Sequence, residues 1–343
     1  MRYLCMVKRE KVLYGGLRAL SRELASERWR GARFVVVLDE NTFEHCLPLL
    51  VSNVEALQEA SFVEVPLGEE CKSLEVAAQV WQTLLDGQAD RQTVLVNLGG
   101  GSVCDLGGFV ASGYMRGIRH IHVPTTLLAM VDAAIGGKTA VDFGGVKNSV
   151  GHFYPAVATV IEPAFLATLP PEQMRCGLVE MVKTAAVADA ALYASLIVAG
   201  NLLPRQLKQV ARIKAQVVKS DPYDFGNRRI LNFGHTFGHA VEVYSSLPHG
   251  SAVGVGMKAA MRLSMRREGL ADDVYKAYSQ WLEHIVECPR YSLADARKVL
   301  ALMHYDKKSL SGSLQCVLLR APGKAVVDVS VSDDEVLDAL RHL

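Results

Sequence analysis

Residues 93–108 read Thr93-Val94-Leu95-Val96-Asn97-Leu98-Gly99-Gly100-Gly101-Ser102-Val103-Cys104-Asp105-Leu106-Gly107-Gly108. The apolar, β-branched run up to Leu98 predicts a buried strand. The glycines that follow allow positive φ and a close approach of the backbone to a ligand. The apolar residues from Phe109 predict a helix, whose N-terminus can bind a phosphate group. The stretch therefore predicts a strand, a glycine-rich turn with a phosphate-bearing ligand, and a helix, although its spacing is not Gly-x-Gly-x-x-Gly.

Other short apolar runs in the first half of the chain predict further strands, at Phe34–Leu38, 61–65 and 120–123. The segment Leu74–Asp86 has helical spacing. Nearly continuous apolar strands that alternate with helices are typical of a parallel sheet covered on both faces, which is a nucleotide-binding architecture.

The proline-rich turn at 162–172 interrupts this alternation, and the chain beyond it is mainly helical in pattern. We therefore predict a Rossmann-like α/β domain at 1–165, a mainly α-helical domain at 166–343, and an active site in the cleft between them. Within the second domain, 314–319 and 325–329 predict a small hairpin. Ser332 predicts the cap of a last helix, with Glu335 three residues later.

The composition excludes several classes of protein. The 37 Lys and Arg residues nearly balance the 36 Asp and Glu residues, which argues against nucleic-acid binding. The first ten residues have no signal-peptide pattern, and no apolar run is long enough to cross a membrane. The seven cysteines are scattered and never form Cys-x-x-Cys, so we expect free thiols in the cytoplasm and a metal site without thiolates.

A cluster of histidines is the main chemical signal of the second half. His235 and His239 are four residues apart and share a helix face, and His249 follows a turn. From the spacing alone, a three-histidine metal site and a set of packed histidines are equally open. On another apolar helix Glu180 and Lys183 lie one turn apart. They predict either a surface ion pair or, if buried, a carboxylate that requires a partner such as a metal.

Lysines also stand in glycine-rich segments between the two halves. Lys138 and Lys147, with Asp132 and Asn148 nearby, predict loops that bind an anionic, hydroxyl-rich substrate, the alternative being ordinary solvated loops. The segment 136–139 is similar to the end of a P-loop but lacks the upstream glycine, so it does not predict ATP binding.

Together these residues resemble the 3-dehydroquinate synthases, of the sugar phosphate cyclase superfamily, along nearly the whole chain. The shared motifs follow the family's order and are Gly99-Gly100-Gly101, Asp105-Leu106-Gly107-Gly108-Phe109, Arg116-Gly117-Ile118, Val123-Pro124-Thr125-Thr126-Leu127-Leu128, Gly136-Gly137-Lys138-Thr139, Lys147-Asn148, Glu180 with Lys183, Arg228, Asn232, Gly234-His235-Thr236-Phe237-Gly238-His239, His249-Gly250 and Asp306-Lys307-Lys308.

The resemblance implies both cofactors. It implies a catalytic Zn²⁺, for which Co²⁺ can substitute, held by Glu180, His235 and His249, with His239 in the substrate site instead. It implies NAD in the first domain. The residues implied to contact NAD are Glu69, Lys72, Gly100, Gly101, Ser102, Val103, Asp105, Thr125, Thr126, Lys138, Lys147, Phe165 and Thr168. Asp39, in the turn after the first clear strand, is a further candidate for NAD binding, the alternative being an ordinary helix cap.

The resemblance further implies a cationic substrate site, which suits a substrate with a carboxylate and a phosphate. Its implied catalytic residues are Asp132, Lys138, Asn148, Lys183, Lys214, Arg228, Asn232, His239, Lys307 and Lys308, together with Arg116. Arg116 resembles an arginine that reaches the neighbouring site in a homodimer.

The implied activity is that of a carbon–oxygen lyase of the shikimate pathway, which leads to chorismate and the aromatic amino acids. Its substrate is 3-deoxy-D-arabino-heptulosonate 7-phosphate. Transient oxidation by NAD, phosphate elimination, reduction and intramolecular aldol closure give 3-dehydroquinate, with NAD regenerated in each turnover.

Three alternatives remain. The 2-deoxy-scyllo-inosose and epi-valiolone synthases act on sugar phosphates without a carboxylate and have less use for Lys214 and Arg228. Metal-dependent alcohol dehydrogenases of the glycerol dehydrogenase type lack the Lys147-Asn148 and Lys183 positions. A non-catalytic binding protein would lose the metal ligands. The chain departs from the family at Met130, at Thr184-Ala185 and at Ser251, where many members have glutamate, so a carboxylate role beside His249 at position 251 is in doubt.

Overall fold

A computed structural model describes residues 10–198, 203–306 and 314–343. The chain divides into two compact units, Met1–Pro170 and Pro171–Leu343. The division falls within the proline-rich turn at 162–172. No helix in the described part of the chain is long and apolar enough to span a bilayer.

The first unit combines a parallel sheet with helices. Its strands are β1 (Lys11–Leu13), β2 (Phe34–Leu38), β3 (Ser61–Glu64), β4 (Val94–Gly99), β5 (Arg119–Pro124), β6 (Lys138–Phe143), β7 (Val146–Phe153) and β8 (Ala158–Val160). Its helices are α1 (Gly16–Leu24), α2 (Glu40–His45), α3 (Leu47–Asn53), α4 (Leu74–Asp86) and α5 (Gly101–Gly113).

Six strands form one sheet in the order β1-β8-β5-β4-β2-β3, and every pairing is parallel. β2 and β4 are buried along their whole length because helices cover the sheet. The predicted α/β fold and its strands are confirmed, with ends that differ by one residue at most.

The glycine-rich segment departs from its prediction. Helix α5 begins at Gly101, so Gly107 and Gly108 lie inside a helix instead of a turn. The reason is close packing, since a Cβ on Gly107 would lie 2.0 Å from Asn97 Oδ1 on β4. The segments around Lys138 and Lys147 were predicted as loops, and this is also wrong: they form the antiparallel β6–β7 hairpin.

The second unit is mainly helical, as predicted. Its helices are α6 (Pro171–Ala188), α7 (Ala190–Val198), α8 (Pro204–Ser220), α9 (His235–Ser245), α10 (His249–Arg267), α11 (Asp272–Glu283), α12 (Leu293–Asp306) and α13 (Asp333–Arg341). Strands β9 (Leu314–Ala321) and β10 (Lys324–Val331) form the predicted hairpin, and Ser332 and Glu335 form the predicted capping box. Helix α10 is buried on most of its surface, against α6, α9 and α11.

Two buried histidines of β5 link the first unit's stability to pH. Burial lowers the pKa of His122 to about 3. Burial, and to a lesser extent the neighbouring His122, lowers the pKa of His120 well below its usual value. The two rings meet edge to face at a centroid distance of 4.8 Å. Between an unfolded pKa of about 6.5 and these lower values, only the unfolded chain takes up the protons, so acid favours unfolding.

We therefore expect the free energy of unfolding to fall by about 1.4 kcal/mol per pH unit for each of these histidines between about pH 6 and about pH 4. His122→Gln should make that slope shallower by about the same amount, as measured by urea unfolding across this range. His45→Gln, an exposed histidine at the end of α2, is the matched control and should keep the wild-type slope. Equal slopes for His122→Gln and wild type would contradict the assignment.

Candidate active site

Two predicted metal ligands are the first residues of neighbouring helices. His235 begins α9 and His249 begins α10. The residue before His235 is Gly234, with φ +80°, and a Cβ there would lie 2.5 Å from Met257 Cγ and 2.9 Å from Met257 N on α10. Only glycine permits this close contact of the two helices. With the helices in this contact, the ring centroids of His235 and His249 are 5.6 Å apart.

Helix α6 adds a buried carboxylate to these histidines. Ligand atoms of Glu180, His235 and His249 all lie within 4.8 Å of one another. The Glu180 side chain is 1% exposed, and it forms an ion pair with the equally buried Lys183. Apart from this ion pair, neither oxygen of Glu180 has a hydrogen-bond partner within the described part of the chain. One carboxylate and two imidazoles are a donor set for a catalytic zinc, so these residues fit a divalent metal.

His239 lies beside this group but outside it. It follows His235 by one turn of α9 and is exposed. Its ring centroid is 5.4 Å from that of His235 and 6.0 Å from that of His249. The three histidines are thus neighbours, as their spacing indicates, while the converging ligand atoms are those of Glu180, His235 and His249.

Sequence reasoning missed Glu242, on the third turn of α9. Its Oε2 accepts a hydrogen bond from His249 Nδ1 at 2.8 Å. Burial lowers the pKa of His249, but this hydrogen bond and the charges of Glu180 and Glu242 outweigh it and raise the pKa above its usual value. The available signal was the spacing, because a residue seven positions after His235 lies on the same helix face. Ser251, the position considered for such a carboxylate, is buried against the Cys176 thiol instead.

Predicted substrate residues of the second unit include two buried cations, Lys214 on α8 and Arg228. Arg228 lies in the short 3-10 segment Asn227–Asn232, and its Nη1 donates to the carbonyl of Pro222 at 2.9 Å. Lys307 and Lys308 lie outside the described residues.

A cavity of about 270 Å³ in the second unit is lined both by residues that the sequence predicts for the site and by residues that it does not. Predicted residues on its wall are Asn232, His235 and His239. Arg229 and Asp328 also line it, joined by hydrogen bonds of 2.8 and 3.0 Å, and were missed because they are far apart in sequence.

Lys72 is the centre of a polar network in the first unit. Its side chain is almost completely buried, and its Nζ donates to Asp105 Oδ2 at 2.8 Å and to Asn148 Oδ1 at 2.5 Å. Glu69 lies 3.8 Å from the same Nζ and accepts a 2.6 Å hydrogen bond from Ser102. Burial raises the pKa of Asp105 to about 6 although Lys72 opposes this shift. Burial lowers the pKa of Lys72, but the charges of Asp105 and Glu69 raise it overall. The network joins four predicted NAD contacts to the predicted substrate residue Asn148.

Other predicted NAD contacts surround the end of β4. Gly100 is the N-cap residue of α5 and Gly101 is its first residue, while Val103 is buried on the same helix. Thr125 donates its backbone N–H to the carbonyl of Gly99 at 2.9 Å. Thr126 Oγ1 accepts from the N–H of Ala129 at 3.2 Å.

Four more predicted residues belong to other segments of the first unit. The Asp39 side chain caps α2 by accepting from the N–H of Thr42 at 2.9 Å. Phe165 is buried and Thr168 is exposed in the 3-10 segment Pro163–Thr168. Asp132 lies in a π-helical turn, Ala129–Ala133.

Three predicted cationic residues of the first unit are exposed. Lys138 and Lys147 extend from the β6–β7 hairpin. Arg116 has φ +65° and stands between Met115, φ +47°, and Gly117, φ +109°, so a run of left-handed backbone presents it to solvent.

Family models match most of the chain. The model described as 3-dehydroquinate synthase N-terminal matches residues 62–176, and that described as 3-dehydroquinate synthase C-terminal matches residues 177–309. The chain is 39% identical over 296 residues to the 3-dehydroquinate synthase of Dehalococcoides mccartyi, covering 83% of this chain and 82% of the relative. It is 38% identical over 324 residues to that of Corynebacterium pseudotuberculosis, covering 91% and 90%.

Solved structures agree with this fold. A 2-deoxy-scyllo-inosose synthase complexed with carbaglucose-6-phosphate, NAD⁺ and Co²⁺ superposes with a TM-score of 0.82 at 24% identity, covering 97% of this chain and 96% of that one. The 2-epi-5-epi-valiolone synthase of Streptomyces hygroscopicus, with NAD⁺ and Zn²⁺ bound, gives 0.76 at 28% identity and covers 90% of each chain. With both family models matched in order and relatives of nearly 40% identity along most of its length, the chain belongs to the 3-dehydroquinate synthase family.

Proposed function

We propose that this protein converts 3-deoxy-D-arabino-heptulosonate 7-phosphate to 3-dehydroquinate and phosphate, with NAD and a divalent metal, Zn²⁺ or Co²⁺, as cofactors. The observation that carries the proposal is the convergence of Glu180, His235 and His249 beside the buried Lys183 in a chain of this family. The valiolone synthase that contains NAD⁺ and Zn²⁺ supports the cofactors.

When bound, NAD supplies a reversible hydride acceptor, and the metal supplies Lewis-acid polarisation of a substrate hydroxyl. In the second unit, Lys183 balances the charge of Glu180 and orients its carboxylate. Lys214 and Arg228, which are buried, supply positive charge for a substrate that has a carboxylate and a phosphate. His239 is exposed one turn from His235, where it can hold or move a proton of the substrate or its phosphate.

In the first unit, Lys72 holds Asp105 and Asn148 in fixed positions for NAD and substrate, respectively. The glycines at the start of α5 leave N–H groups for the pyrophosphate of NAD. We further propose a homodimer in which Arg116 serves the partner's site, which its exposure permits. The cysteines of the described residues are free thiols, in keeping with the cytoplasm.

The test is an assay of the purified protein with NAD, Zn²⁺ and the heptulosonate phosphate. We expect phosphate release without net accumulation of NADH, and loss of this release after treatment with a chelator. Net NADH formation from a polyol would indicate a dehydrogenase of the glycerol dehydrogenase type. Turnover of a hexose phosphate without a carboxylate, but not of the heptulosonate, would indicate another cyclase. Either result would overturn the proposal.

A further inference from the structure

We infer that Glu242 is a positioning residue that fixes the ring of His249 toward the metal. The inference rests on the proposed metal site. Its first support is the contact itself: Glu242 Oε2 accepts from His249 Nδ1 at 2.8 Å, and the Glu242 side chain is largely buried, at 14% exposure.

This hydrogen bond decides which nitrogen of His249 can bind a metal. A carboxylate can only accept, so Nδ1 carries the proton and the lone pair is on Nε2. Histidine ligands commonly donate their other N–H to a carboxylate, which orients the ring and makes the ligand more basic. Glu242 therefore selects the tautomer of His249 that can coordinate through Nε2.

The position of Glu242 on α9 connects the two histidine ligands. Glu242 lies two turns after His235 on the same helix, while His249 begins α10. The hydrogen bond thus crosses from one ligand-bearing helix to the other. Since the backbones of α9 and α10 are in close contact at Gly234 and Met257, the carboxylate is held by a rigid support.

Glu242 also adds negative charge to a site where the neighbouring helix dipoles disfavour a cation. Both histidine ligands are at helix N-termini, where the helix dipoles are positive. The carboxylate of Glu180 is already paired with Lys183. A second carboxylate beside His249 offsets the dipoles and favours binding of the metal.

The test measures metal affinity and ligand geometry without turnover. Wild type, Glu242→Ala and Glu242→Gln are titrated with Co²⁺ in competition with a chelating dye, and the visible Co²⁺ spectrum is recorded. We expect Glu242→Ala to weaken metal binding by roughly 10- to 100-fold and to change the spectrum, since that is the usual effect of removing such a partner. Glu242→Gln keeps an oxygen that accepts from Nδ1, so we expect it to retain the wild-type spectrum and to recover part of the affinity.

The matched control is Asp333→Ala, which removes a carboxylate bonded to His304 at 2.9 Å, a histidine outside the group of converging ligands. It should bind Co²⁺ as wild type does. Suppose that wild type binds Co²⁺ and His235→Ala does not. Wild-type affinity and a wild-type spectrum in Glu242→Ala would then overturn the inference about Glu242 and leave the proposed metal site standing. If wild type binds no metal, or His235→Ala binds it equally well, the proposed metal site itself is wrong. Circular dichroism of the metal-free variants checks that each is folded.

Discussion

Replacing His235 with alanine is expected to abolish tight metal binding and to lower kcat by three orders of magnitude or more. His235 supplies one of three converging ligand atoms, and its loss leaves Glu180 and His249 as a two-ligand site. A metal that polarises a substrate oxygen stabilises the transition state by several kcal/mol, and each ~1.4 kcal/mol of this stabilisation corresponds to a factor of ten in rate. Bound zinc per chain and the rate of phosphate release measure the two effects.

Two other histidines provide controls for this result. His239→Ala should retain the metal while losing activity, because its ring is outside the converging group. His304→Ala, on α12 and paired with Asp333, should retain both. A His235→Ala protein with full zinc content and normal phosphate release would contradict the metal assignment, and loss of zinc in His239→Ala would place His239 among the ligands.

Replacing Gly256 with alanine is expected to cost about 3 kcal/mol or more of the free energy of unfolding, because overpacking against backbone is poorly relieved. A Cβ at this position would lie 2.2 Å from the carbonyl oxygen of Gly234 and 2.6 Å from the N–H nitrogen of Gly238. Both atoms are backbone atoms of the segment that carries His235. The gain of up to about 1 kcal/mol in helix propensity does not offset this clash. Urea unfolding measures the change, and we expect zinc content to fall with it.

Gly254→Ala is the matched control in the same helix. Its nearest new contact is Leu282 Cδ1 at 2.7 Å, the end of a flexible side chain that can move. It should cost much less than Gly256→Ala. Equal stability of the two variants would show that α9 and α10 can separate without penalty, contrary to the packing described here.

The sequence predicted elements well where one local pattern decides the structure. Phe34–Leu38 is a continuous apolar run, and Leu74–Asp86 has helical spacing with Ser73 as its cap, so both segments match their observed bounds. It failed where tertiary contacts override local preference. Gly107 has poor helix propensity, yet lies in α5 because only glycine fits against Asn97. Strand β7 is almost wholly exposed, so it lacks the apolar alternation that would reveal the β6–β7 hairpin.

The site was predictable to a similar extent. The resemblance indicated Glu180, His235 and His249 as one group, and their ligand atoms do converge. It did not indicate Glu242, because an acidic residue on a helix most often faces solvent. Nor could it indicate that Lys72 would be buried between Asp105 and Asn148, since these residues come from separate elements whose contact depends on the folded chain.

All three converging ligands belong to the unit Pro171–Leu343, whereas the residues predicted to bind NAD belong to Met1–Pro170. We therefore expect the metal to bind without the nucleotide. Any effect of NAD on metal affinity is a coupling free energy, and linkage requires the metal to change NAD affinity by the same factor. The two cofactors can accordingly be removed, restored and titrated one at a time, and the order in which they are added should leave the final holoenzyme unchanged.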